Sequence, residues 1–133
     1  MRGLPTTAAI AVLIFGASAA SAKEIPPDAE LRVCGARQCR VLTPEQTRAF
    51  SALLWGGRRV VRASTPRSGS AVFQLRFRDG PAGVVLNRTA FRVHGLNCGR
   101  FRRGVWYRLP VELRGLGSGL TPKRLRSTVP RSC

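Results

Sequence analysis

Arginine carries most of the chemistry available to this chain. Of 23 Lys+Arg residues only Lys23 and Lys123 are lysine, and they stand against 6 Asp+Glu, a formal net charge of +17. A guanidinium presents its donors in a rigid fork that matches phosphate, sulfate or carboxylate two bonds at a time. A GC-rich genome would favour arginine over lysine, but it would not make acids scarce. The excess therefore points to an anionic polymer or an acidic protein surface as partner. Two groups stand out by spacing. Arg76, Arg78 and Arg92 fall on the polar phase of alternating segments, with Arg88 adjoining them. Arg100, Arg102, Arg103 and Arg108 interleave with Phe101, Trp106 and Tyr107. Guanidinium groups beside rings suit a nucleic-acid or glycan backbone, where charge attracts and rings stack.

Cys34, Cys39, Cys98 and Cys133 are the 4 cysteines. An even count in an exported chain reads as two disulfides, and Cys34–Cys39 with Cys98–Cys133 is the expected pairing. On the chain-entropy estimate the short loop contributes about 2 kcal/mol and the long one about 4. Cys34, Cys39, His94 and Cys98 could instead bind zinc, but their spacing matches no standard finger and would strand Cys133. No metal and no cofactor is expected. His94 is the single histidine, and neighbouring arginines would lower its pKa and suit it to act as a base. Its possible acidic partners are few. Glu45 suits a helix start and Asp79 a turn, which leaves Glu112. No catalytic residue is therefore assigned.

Residues 1–22 have the layout of a cleavable export signal. Arg2 provides the positive start, Ala8 to Phe15 an apolar run, and Ala20-Ser21-Ala22 a small-x-small cleavage pattern. The apolar run is too short to span about 30 Å of hydrocarbon. Removing it leaves residues 23–133 as one domain, with a net charge of +16 (22 basic residues after loss of Arg2, minus 6 acidic). No later stretch has membrane-spanning length. The expected location is secreted, extracellular or periplasmic.

The elements that must position these groups can be read in outline. Residues 31–42 alternate around Gly35–Gln38, as a β-hairpin with Cys34 facing Cys39 would. Thr43-Pro44-Glu45-Gln46 forms a capping box with proline at the first helical position. Ala49, Phe50, Leu53 and Leu54 recur at helical spacing until Gly56-Gly57, so a helix is expected over 44–55. Strands are expected over 58–64, 71–78, 83–87, 90–96 and 105–109, with turns between them. Phe73, Leu75 and Phe77 oppose Gln74, Arg76 and Arg78, which implies an antiparallel sheet with one buried and one wet face. The stretch 110–120 is too rich in glycine for a helix, Gly115–Gly119 within it reads as flexible chain, and Thr121-Pro122 as the start of a further short turn.

The fold class expected is α+β: a small disulfide-bonded domain with one main helix packed on an antiparallel sheet of four to five strands. The function expected is non-enzymatic binding of an anionic extracellular partner: nucleic acid, cell-wall polymer, acidic glycan or acidic protein. Its site would be the arginine-bearing sheet face and the 100–108 segment. One rival is a protein–protein module such as a protease inhibitor, presenting the loop Thr65–Ser70. Another is a small secreted nuclease or hydrolase using His94.

Overall fold

A computed structural model describes residues 30–94 and 100–126. Its elements, in chain order, are β1 (Leu31–Cys34), β2 (Cys39–Val41), α1 (Pro44–Leu54), β3 (Ala71–Phe77), β4 (Gly80–Leu86), β5 (Ala90–Val93), β6 (Tyr107–Arg108) and β7 (Lys123–Arg124). A single 3₁₀ turn, Val111–Leu113, lies between β6 and β7. Every strand pairing is antiparallel. The sheet runs β2-β1-β3-β4-β5-β6, and β7 pairs with the start of β3.

The α+β architecture stands, but the sheet has seven strands where four to five were expected. The increase has two causes. The N-terminal hairpin does not stand apart, because β1 lies directly against β3, with Val33 opposite Leu75. β7 arises where Thr121-Pro122 was expected to begin a turn. Conversely, residues 58–64 form no strand and join the sheet at a bridge between Arg62 and Tyr107. Two backbone bonds flank that bridge, Ala63 N–H to Trp106 O and Arg108 N–H to Val61 O. β6 is too short to sustain a longer ladder.

The hairpin and helix follow their local signals. Cys34 and Cys39 are opposite one another and disulfide-bonded, whereas Cys98 and Cys133 lie outside the described residues. Gly35 is obligatory in the connection: a Cβ there would sit 2.0 Å from the Thr121 carbonyl oxygen, which accepts the Ala36 N–H. Thr43 and Gln46 exchange both capping-box hydrogen bonds, 3.1 and 2.9 Å, which satisfies two otherwise unpaired N–H groups at the helix start. The helix itself has no basic residue in its last turn. Arg100 compensates from a distant part of the chain by donating to the Leu53 carbonyl, where a cation suits the negative end of the dipole.

Helix and sheet enclose the main core between them. Phe50 and Leu53 of α1 meet Leu31, Val33, Leu75, Val84, Leu86, Phe91 and Val93 from the strands. Phe91, Phe101 and Tyr107 pack as an aromatic trio, with ring centroids 5.5–5.9 Å apart, a geometry that contributes beyond area burial alone. The opposite face of the sheet is wet only in part. Val72, Val85, Ala90, Trp106 and Leu125 form a second cluster there, with Ala63 packed against it. The segment after β7 and the arm before β3 thus cover ground that strand alternation assigns to solvent. Among the described residues no helix is long and apolar enough to cross a membrane.

Candidate functional site

The far face of the sheet does not hold the expected arginines in a single exposed array. Direct pairing places Arg32 beside Arg76 and sets Gln74, Val85 and Arg92 in one row. Like charges so placed repel, and Glu30 relieves the first pair by binding Arg32. Arg76 and Arg92 are half-buried. The Arg92 guanidinium lies over the Trp106 ring, 5.5 Å from its centroid, and burial lowers its pKa from the ordinary value. Arg78 is exposed, in the turn between β3 and β4.

The 100–108 segment also differs from the expected arrangement. Trp106 is 1% exposed and Tyr107 7%, so neither ring is presented to a ligand in this structure. Each is the apolar anchor of one side of the sheet, and the Tyr107 hydroxyl accepts the Arg102 N–H at 2.9 Å. Arg100 lies over the Phe101 ring and binds the end of the helix. Arg102, Arg103 and Arg108 are exposed.

His94 is half-buried, and its Nε2, like the Nε of Arg92, finds no hydrogen-bond partner among the described residues. Burial first, and the charge of Arg92 second, hold its pKa below 6.5. The one acid left over as a partner, Glu112, is already bound bidentately by Arg58, both contacts 3.1 Å. That bond lowers the Glu112 pKa. Cys34 and Cys39 are joined to each other and so are not thiolate ligands here. No group of three or more His, Cys, Asp or Glu that could hold a metal occurs among the described residues.

Among the described residues, concave surface lies around the turn between β4 and β5. Three clefts adjoin there. The largest, about 740 Å³, lies between Phe73, the turn Asn87-Arg88-Thr89 and the glycine-rich stretch 115–119. The second, about 410 Å³, shares Asn87 and Thr89 with the first and adds Arg62 and Arg108. The third, about 310 Å³, shares Arg108 and adds Arg58, Arg59 and Arg114. Shared lining residues set the three side by side around the β4–β5 end of the sheet, a track lined by six arginines, and the second cleft opens toward the far face, where Ala63 and Ala90 line it.

Local structure explains why the track keeps its shape. The Asn87 side-chain oxygen accepts from Thr89 N–H (3.0 Å) and Ala90 N–H (2.8 Å), fixing the turn. Gly115 N–H bonds Arg88 O, and Leu109 N–H bonds Thr89 O, tying the turn to the chain on either side of the 3₁₀ element. Arg40 reaches across from β2 to the carbonyls of Leu116 (3.1 Å) and Ser118 (2.6 Å). Gly117 packs on Phe73 so closely that a Cβ would fall 2.3 Å from the ring. The stretch read as flexible chain is thus a braced wall.

Of the expected site residues only Arg108 lies on this track, with Arg88, which adjoined them in the sequence. Arg58, Arg59 and Arg62, in one segment, and Arg114, in another, were missed because only the fold brings them beside Arg88 and Arg108. The one available signal was the Arg58-Arg59 pair directly after a helix stop. Comparison with protein-family models, with curated proteins and with solved structures finds no significant match to this chain.

Proposed function

We propose that the protein is a strongly basic, non-catalytic binding protein that acts outside the cytoplasm, secreted or periplasmic, on an anionic partner. The observation that carries this reading is the arginine-lined track at the β4–β5 end of the sheet. Glu112, the acid that binds Arg58 of the track, is already neutralised by it, and Arg59, Arg62, Arg88 and Arg108 make no ion pair among the described residues. Cations held in concavities focus the field on a bound anion more than the same charges on a convex face. Export rests on the signal-like residues 1–22.

The test is binding of the oxidised protein to DNA, RNA, a sulfated glycan and teichoic acid across a salt titration. Polyanion binding releases counterions, so affinity should fall steeply with salt, by roughly 0.7–0.9 of a log unit per log unit for each phosphate engaged. Equal, weak binding to all four that vanishes near physiological salt would overturn the reading. One observation favours a second reading, a protein–protein module such as an inhibitor. In the loop 65–70, Thr65, Arg67, Ser68 and Gly69 are exposed, yet its end is fixed to the β7 segment by Gly69 N–H to Leu125 O and Leu125 N–H to Ser70 O. Binding through that loop would survive moderate salt.

A further inference from the structure

We infer that the partner is a single-stranded nucleic acid, and that one of its bases enters the cleft beside Phe73. This rests on the polyanion reading and narrows it. The basis is a difference along the track. The second and third clefts are rich in arginine, with Arg62 and Arg108 in one and Arg58, Arg59, Arg108 and Arg114 in the other. The largest of the three has Arg88 as the one cation among its lining residues, Arg40 being bound to carbonyls of its wall, and Ala71, Phe73, Leu120 and Pro122 give it apolar walls. A ligand that fits both parts carries charge along its backbone and holds an uncharged ring away from that charge. Sulfated glycans and polyphosphates place charge on every unit and would carry it into the apolar cleft. A duplex keeps its bases stacked, and turning one out costs unpairing and unstacking. A single strand has neither obstacle, and a base stacked on an aromatic side chain is its usual mode of capture.

The polar residues of the same cleft suit a base edge. Asn87 uses its carbonyl oxygen on the turn, leaving its amide nitrogen as a donor. Thr89 and Ser118 add hydroxyls that can donate or accept. The absence of a side chain at Gly117 lets the Phe73 ring lie against the wall, where a Cβ would fall 2.3 Å from it.

The experiment measures affinity for four polymers at one salt concentration: a single-stranded oligodeoxynucleotide, its abasic counterpart of equal length, a duplex, and heparin. The abasic strand keeps every phosphate and lacks every base. The expected result is that the intact strand binds about tenfold more tightly than the abasic one. In Ser118→Leu, an exposed position whose backbone oxygen still receives Arg40, that difference should collapse while abasic affinity holds. Equal affinity for intact and abasic strands, or tighter binding of heparin or the duplex, would overturn the inference and leave polyanion binding in place. Failure to bind any of the four would overturn both.

Discussion

The far face of the sheet and the track at its β4–β5 end place the same residue type in different settings. On the far face, Arg92 is drawn down over Trp106, Arg76 is half-buried beside Arg32, and apolar side chains fill the middle. There the guanidinium stem and plane contribute to packing. Along the track, arginines from four separate segments border a concave surface. Arginine content alone does not distinguish these roles; burial and surface shape do.

Trp106→Ala should have the largest effect and confine it to the first region. Removing a side chain that is 1% exposed is expected to cost about 3–5 kcal/mol of folding stability, read by chemical denaturation. A loss below about 1 kcal/mol would mean that the second cluster does not hold the far face together. Gly117→Ala strikes the other region. Its methyl group would fall 2.3 Å from the Phe73 ring, so a cost of about 1–3 kcal/mol is expected, with polyanion affinity reduced as the wall shifts. Unchanged stability would show that the glycine-rich wall is not braced.

The sequence made the framework legible where the signal was local. The capping box at Thr43, the hairpin around Cys34–Cys39 and the alternation of Phe73, Leu75 and Phe77 all depend on neighbours within a few residues, and all are found. β7 was not legible, because Lys123-Arg124 has no alternation of its own and pairs with β3 some fifty residues earlier. The same holds for the track. Arg62 and Arg108 line one cleft, and Gly115 N–H bonds Arg88 O, through approaches between residues far apart in the sequence. Trp106 and Tyr107 adjoin arginines in the sequence, but neighbours in a strand point to opposite faces, and here both faces are covered.

Smaller effects sharpen the contrast. His94, the single histidine, reports on the far face. Its folded pKa lies below 6.5 because burial and Arg92 disfavour the imidazolium. Above that value both folded and unfolded chains hold a neutral ring. Below it the unfolded chain takes up a proton that the folded chain resists, so stability should decline as pH falls from 6.5 toward the folded pKa. Arg92→Met should move the His94 pKa upward in an NMR titration while leaving DNA binding nearly unchanged; a static His94 pKa would contradict the coupling. Glu112→Gln should have the least effect on folding, since its pair with Arg58 is exposed and such pairs contribute little. It should nonetheless tighten polyanion binding slightly, because it frees a guanidinium on the track.

The most direct test of the track itself compares two charge reversals in the same salt titration against single-stranded DNA. Arg62→Glu with Arg108→Glu alters the track, and Arg76→Glu with Arg78→Glu alters the far face and the β3–β4 turn. The track variant is expected to bind more weakly at every salt concentration and to lose about one to two units of the log–log salt slope, whereas the far-face variant keeps most of the slope. Equal losses in both variants, or a larger loss in the far-face one, would contradict the assignment of the site to the track.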